Sequence, residues 1–323
     1  MIDSTRRGLL GGGIALLAAG AATRLAAQSP KGADEVIPLW PGTPPGGAGV
    51  HLIKKAADQS HDPEHPDRWL TGIGTPMLVV RRAANPNGTA VMSIPGGGYA
   101  FLAYDNEGTE QAAWLTARGI TTFILLYRLP GEGWAQRADV PLQDAQRAIR
   151  LIRANAGRFG IKPGHVAILG FSAGGHLAGS LATRFDNKVY DPVDKADQLS
   201  ARPDLAGLIY PVITMGPEAH VGSRDDLLGN ASTKAQRDAY SVENNVSEGT
   251  PPVFVCCAGD DGVVPPVNSL MMYEAMLKVG QPAELHAFEK GGHGFGVRLP
   301  KTLPASHWPD LFMRFAQYQN VLA

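Results

Sequence analysis

Four short stretches of the 323-residue chain hold the residue types from which a nucleophilic acyl-transfer site is built. Val166 to His176 reads V-A-I-L-G-F-S-A-G-G-H: a short apolar β-type run stops at Gly170, and a small-residue stretch that suits a helix opens after Ser172. A serine at such a strand, turn and helix junction sits on a strained backbone with its hydroxyl projecting. Gly170 and Gly174 are needed because a Cβ at either place would collide where strand and helix pass closely, and Gly175 lets the helix settle onto the sheet. The alternative is a serine that only caps the helix. The strand before it and the glycines around it favour Ser172 as a nucleophile.

A serine hydroxyl attacks poorly at neutral pH unless a base takes its proton and a third group orients that base. Ala258-Gly259-Asp260-Asp261-Gly262 follows one apolar run, and Glu289-Lys290-Gly291-Gly292-His293-Gly294-Phe295 follows the next. His293 lies among glycines that let the backbone swing an imidazole over a sheet edge. Asp260 and Asp261 compete for the orienting role. Asp260 comes first after the strand and is expected to turn inward, which leaves Asp261 as a turn or helix-start residue.

Acyl transfer also needs donors aimed at the developing oxyanion. Ile94-Pro95-Gly96-Gly97-Gly98-Tyr99 follows an early apolar run, and successive glycines can present backbone N–H groups to an anion. The expected donors are Gly97 or Gly98 together with Ala173, the residue after the nucleophile. Tyr99 and Phe101 leave that loop and are expected to line the substrate pocket, with core packing as the alternative. Glu107 and Asp144 are read as structural, the second facing Arg147 or Arg128. His51, His61 and His65 fit no metal spacing and read as a solvated loop. The chain has no phosphate-binding G-x-x-x-x-G-K-S/T, no H-E-x-x-H and no dinucleotide fingerprint, so no cofactor is called for.

These residues need a scaffold that ends strands beside one another. Strands are predicted at Met77 to Arg82, Ala90 to Ile94, Thr121 to Tyr127, Val166 to Leu169, Leu205 to Tyr210, Val253 to Cys257 and Ala283 to Phe288. Helical periodicity marks Asn106 to Arg118, Pro141 to Ala156, Pro266 to Val279 and about Pro309 to Val321. This alternation predicts an α/β fold, a mostly parallel sheet with helices on both faces. Two polar stretches, 184–203 and 214–249, interrupt the rhythm and are candidates for loops or short helices roofing the site.

Composition narrows the classes further. With 44% hydrophobic and 18% charged residues, a net charge of -1 and no basic block, nucleic acid is an improbable partner. The only two cysteines, Cys256 and Cys257, are adjacent and point to opposite faces of a strand, so they read as buried thiols. Residues 1–28 carry Arg6-Arg7 before a Gly/Ala-rich apolar stretch and Ala26-Ala27, the pattern of a twin-arginine export signal. That stretch is too short and too rich in small residues for a comfortable membrane span, so no stable membrane association is expected once it is removed. Residues 29–75 read as an irregular leader with one strand near Val36 to Leu39, and 76–323 as a single catalytic domain.

On these residues the chain resembles the bacterial α/β-hydrolase esterases related to acetylxylan esterases and to the hormone-sensitive-lipase-like group. The resemblance rests on P-G-G-G-Y at Pro95 to Tyr99, N-E-G at Asn106 to Gly108 and G-F-S-A-G-G-H at Gly170 to His176. It continues through Y-P-V-I-T-M at Tyr210 to Met215, Asp260 to Pro265 and E-K-G-G-H-G-F-G at Glu289 to Gly296. It implies the α/β-hydrolase fold and Ser172, Asp260 and His293 as the triad. It also implies hydrolysis of carbohydrate esters, most often acetyl groups on plant cell-wall polysaccharide. The expectation is an exported serine esterase, periplasmic or extracellular, acting on a small-molecule or oligosaccharide ester. A feruloyl or broad short-chain carboxylesterase is the runner-up, and a non-catalytic carbohydrate-binding protein on the same scaffold is the alternative of another class.

Overall fold

Short apolar runs bounded by Gly, Pro or Asn become the strands of a central sheet, and longer runs with a 3.6-residue period become the helices that cover it. The computed structural model describes residues 35–62 and 65–323, so the export segment expected at 1–28 lies outside the described residues. In chain order the strands are β1 (Glu35–Pro38), β2 (Lys55–Asp58), β3 (Arg68–Thr71), β4 (Met77–Arg81), β5 (Ala90–Ile94) and β6 (Leu102–Ala103). They continue as β7 (Thr121–Leu126), β8 (Val166–Phe171), β9 (Leu205–Ile209), β10 (Val253–Ala258) and β11 (Ala283–Phe288). The helices are α1 (Glu110–Thr116), α2 (Val140–Ala154), α3 (Ala156–Phe159), α4 (Ala173–Thr183), α5 (Val221–Leu228), α6 (Lys234–Tyr240), α7 (Val267–Lys278) and α8 (Trp308–Tyr318).

Eight strands form one sheet in the order β1-β4-β7-β5-β8-β9-β10-β11. From β7 to β11 every neighbour is parallel, while β4 runs antiparallel to both β7 and β1. Strand β5 is followed by β7 on one side and β8 on the other, so the chain reverses its direction of travel across the sheet there. The crevice beyond the carboxyl ends of strands at such a reversal is where open α/β sheets place their sites. The glycine loop leaves β5 and Ser172 leaves β8, so both arrive at that crevice.

The period of two along each strand divides the core into two layers. Met92, Ile168, Leu208 and Val255 point to the side packed by α2 and α4, where Leu142, Ala145, Ala148, Ile149 and Ile152 supply an apolar stripe. Val91, Leu169, Ile209, Phe254 and Cys256 point to the other side, against Trp308, Phe312 and Phe315 of α8. Cys256 and Cys257 are both buried free thiols. Under α2, Asp144 takes charge-assisted bonds from Arg128 Nη2 at 2.8 Å and from the Trp40 indole at 2.8 Å, with both members of the ion pair fully buried.

The expected boundary at residue 75 does not hold. Among the described residues the compact unit runs from Glu35, because β1 completes the sheet edge against β4, and β3 pairs with β2 on one side and β6 on the other in a second, three-stranded sheet. Only the strand near Val36 was legible. β2 reads K-A-A-D and is exposed throughout, so it carries no apolar alternation to reveal it.

Candidate active site

Ser172 stands between β8 and α4 at φ 52 and ψ −119, a strained conformation for a residue with a Cβ. Its neighbours must be glycine. A Cβ on Gly170 would lie 2.4 Å from the Gly174 carbonyl oxygen, and one on Gly174 would lie 2.2 Å from that of Ile94. The turn therefore presses the start of α4 against the ends of both β8 and β5, and the Ser172 hydroxyl projects into the crevice.

The Ser172 hydroxyl donates to His293 Nε2 at 2.9 Å. His293 Nδ1–H in turn donates to Asp261 Oδ2 at 2.7 Å. Asp261 thus occupies the position expected for Asp260. Strand pairing explains the exchange: Gly259 N–H still bonds to Phe288 O at 2.7 Å, carrying the β10–β11 ladder one residue past β10. Asp260 then faces the histidine loop from outside and accepts Gly291 and Gly292 N–H at 2.9 and 2.8 Å. Those backbone bonds, that from Gly292 above all, hold the Asp260 carboxyl below its ordinary pKa. Asp261 turns inward, where Oδ1 accepts Val263 and Val264 N–H at 2.8 and 2.9 Å. Turn formation and imidazole orientation, treated as alternatives at the sequence level, use the two oxygens of one carboxylate.

The glycine loop is held from below. Gly96 N–H donates to Glu107 Oε2 at 2.7 Å, so that amide is committed and Gly97 and Gly98 remain as the loop's donors. Both have positive φ, 114 and 67, and both line the cavity with Ser172 and His293. Ala173 opens α4, where the helical ladder leaves the first N–H groups without an acceptor. Tyr210 O–H donates to Glu107 Oε1 at 3.0 Å and accepts Gly296 N–H at 3.1 Å, tying the glycine loop to the segment after His293. Burial pushes the Glu107 carboxyl up, opposed by the Gly96 bond.

Tyr99 does not line the pocket. It is buried with its hydroxyl 2.7 Å from His176 Nδ1, and His176 Nε2–H donates to Tyr240 O at 2.8 Å. Burial lowers the His176 pKa to about 4, so the ring is a neutral clamp between the glycine loop, α4 and the end of α6. Phe101 does line the cavity.

That cavity measures about 430 Å³, within the range of roughly 300–1,000 Å³ common for small-molecule sites. Its walls add Asp67, Trp69, His220 and Asp226, none of which sequence reasoning found. Trp69 comes from β3 of the small sheet, and Asp67 from the residue just before that strand, both within the supposed leader. His220 and Asp226 come from the start and interior of α5, so the 214–249 stretch does contribute to the site. The 184–203 stretch contributes no lining residue and instead borders a separate polar groove with Gln146 and Arg150. Among the described residues no group of three or more His, Cys, Asp or Glu side chains could hold a metal ion, and no helix is long and apolar enough to cross a membrane.

Sheet order, nucleophile turn and relay geometry define an α/β-hydrolase with a serine, histidine and aspartate at one crevice. The chain belongs to the BD-FAE family, which matches residues 79–276. It is 35% identical over 232 residues to an acetylxylan esterase of Xylanibacter ruminicola, covering 70% of this chain and 45% of that protein. It is 37% identical over 207 residues to endo-1,4-beta-xylanase B of Butyrivibrio fibrisolvens, covering 64% of this chain and 32% of that protein. The chain therefore spans less than half the length of these two relatives. Among solved structures, an acetyl ester-xyloside bifunctional hydrolase from Caldicellulosiruptor lactoaceticus superposes with a TM-score of 0.73 at 34% identity, over 90% of this chain and 98% of that one. Esterase Est2 of Thermogutta terrifontis, solved with propionate bound, superposes with a TM-score of 0.64 at 25% identity, over 77% and 91%.

Proposed function

We propose that the protein is a serine carboxylic-ester hydrolase that removes acetyl groups from xylan-type saccharides through an acyl-enzyme. The observation that carries this reading is the unbroken line Asp261–His293–Ser172, with Ser172 lining a cavity together with the glycine loop. His293 Nε2 takes the hydroxyl proton as Ser172 Oγ attacks the ester carbonyl, and Asp261 stabilises the imidazolium that forms. The Ala173 amide and that of Gly97 or Gly98 receive the oxyanion. His293 then gives its proton to the departing sugar hydroxyl, and a water activated by the same imidazole releases acetate from Ser172.

The substrate part of this reading is supported by the acetylxylan esterase and acetyl ester-xyloside hydrolase to which the chain is similar. Export through the Arg6-Arg7 segment would bring such an enzyme to polymeric or oligomeric substrate.

The test is acetate release from acetylated xylo-oligosaccharides, run beside methyl ferulate and ethyl acetate with Ser172→Ala as control. Acetate release that the substitution abolishes supports the proposal. Cleavage of ethyl acetate or ferulate alone keeps the serine mechanism and overturns the substrate. Failure on every ester, with no labelling of Ser172 by a fluorophosphonate, would leave a non-catalytic scaffold.

A further inference from the structure

The small sheet has a chemical consequence. Trp69 in β3 pairs with Ala103 in β6, next to the end of the glycine loop, and its indole stacks on Phe101 with ring centroids 3.8 Å apart and planes 9° apart. Phe101 covers one face of the indole, yet Trp69 keeps 36% of its surface open. A large aromatic ring held flat and left partly uncovered beside a nucleophile offers a stacking surface.

Polar groups surround that surface in the same cavity. His220 begins α5, and Ser223 N–H donates to its Nδ1 at 3.2 Å, with Ser223 Oγ also 2.8 Å from that nitrogen. Nδ1 is thus an acceptor, and the neutral ring carries its proton on Nε2. Burial, with the nearby His293, holds the His220 pKa below its usual value, so the neutral form dominates at pH 7. Asp67 is positioned by Arg298 at 3.4 Å, and Asp226 brings a second carboxylate to the wall. The cavity therefore combines one flat apolar surface with a donor and two acceptors.

We propose that this wall is a subsite for a pyranose ring of the alcohol portion of the ester, with Trp69 stacked under the sugar's C–H face and His220, Asp67 and Asp226 meeting its hydroxyls. The inference rests on the esterase reading and adds which residues select the leaving group. A pyranose matches because it has an apolar face and a rim that donates and accepts. An acetyl group uses neither feature, and two carboxylates disfavour an anionic occupant.

The test has a kinetic and a binding arm. In the first, kcat/KM is measured for acetylated xylotriose and for ethyl acetate, in wild type and Trp69→Ala. The ratio of the two values is expected to fall about ten-fold in the variant, mostly through KM. In the second, xylotriose is titrated calorimetrically into Ser172→Ala and into Ser172→Ala/Trp69→Ala, with binding expected to weaken by a similar factor. A ratio that does not change, or a selective loss on methyl ferulate, overturns the subsite while leaving the esterase reading intact. A wild type that spares acetylated saccharide overturns the substrate reading instead. The titration still decides the subsite in that case: Trp69-dependent xylotriose binding supports it, and no binding overturns it.

Discussion

Asp261 Oδ2 lies 2.7 Å from His293 Nδ1 while the same carboxylate closes the turn to Val264, so the group that orients the imidazole is itself fixed by two backbone amides. Asp260, one residue earlier, fastens the histidine loop from its exposed side. The two aspartates should therefore separate kinetically. Asp261→Asn is expected to lower kcat by about 10³–10⁴-fold, because an amide favours the wrong imidazole tautomer and cannot stabilise the imidazolium. Asp260→Asn should cost less than about ten-fold, since the asparagine Oδ1 can still accept Gly291 and Gly292 N–H. Initial rates on ethyl acetate, with circular dichroism to confirm folding, decide it. Equal losses would refute the assignment.

The glycine loop makes a similar contrast. A Cβ on Gly97 would lie 2.2 Å from the Phe101 carbonyl oxygen, and the residue has φ 114, so alanine there must move the loop. Gly98 has φ 67 and open space, with Ser223 Oγ 4.0 Å from a built Cβ, so alanine there carries only left-handed strain of about 1–2 kcal/mol. Gly97→Ala should reduce kcat by roughly 10²–10³-fold, the loss typical of a displaced oxyanion donor. Gly98→Ala should retain most activity and lower thermal stability slightly. Parallel kcat and melting measurements check both.

Much of this site was legible because strained turns need particular residues. Gly170 and Gly174 flag Ser172 because no side chain fits at either glycine where α4 is pressed onto two strand ends. β5 is legible to the residue as a short apolar run, and β11 as the run A-E-L-H-A-F between breakers. What escaped was set by pairing across long separations. The choice between Asp260 and Asp261 depends on a bond from Gly259 to Phe288, which no local pattern announces. Trp69 escaped because β3 belongs to a sheet whose other strands are an exposed polar segment and a two-residue strand. Tyr99 follows the glycine loop directly in sequence, but its positive φ of 67 turns it away from the pocket, toward His176.

The buried pair below α2 carries a stability prediction. Asp144 serves Arg128 and the Trp40 indole at once, with no exposure on either charged side chain. Removing one partner strands the other charge, which typically costs about 3–5 kcal/mol. Asp144→Ala should lower the urea midpoint sharply. Since this pair does not line the cavity, the variant's remaining folded fraction should keep near-normal KM.

His176 supplies a pH signature. Its folded pKa is about 4 against 6.5 when unfolded, so between those values the unfolded chain binds more protons and stability falls as pH falls. Compared with His176→Gln, whose side chain does not titrate, wild type should hold its full advantage above pH 6.5 and lose it progressively toward pH 4. Urea unfolding of both proteins across that window measures the loss directly, and parallel curves would refute the neutral clamp.

Glu107 is expected to do the opposite. Burial raises its pKa above 4.5, so the folded protein holds a proton that the unfolded chain has already released. Its contribution is greatest below pH 4.5 and is lost as pH rises through the folded value, so wild type should weaken relative to Glu107→Gln with increasing pH. The two substitutions at this position also separate charge from scaffolding. A glutamine oxygen can still accept Gly96 N–H while its amide meets Tyr210, so Glu107→Gln should keep activity within about ten-fold. Alanine leaves the Gly96 N–H and the Tyr210 O–H without an acceptor in a buried site, each at roughly 1–3 kcal/mol, and frees the glycine loop from the segment after His293. Glu107→Ala should lower kcat about 10²-fold with a smaller change in KM, the pattern of a lost transition-state contact. Equal effects of glutamine and alanine on kcat would show that the carboxylate's charge, not its hold on the two loops, is what the site requires.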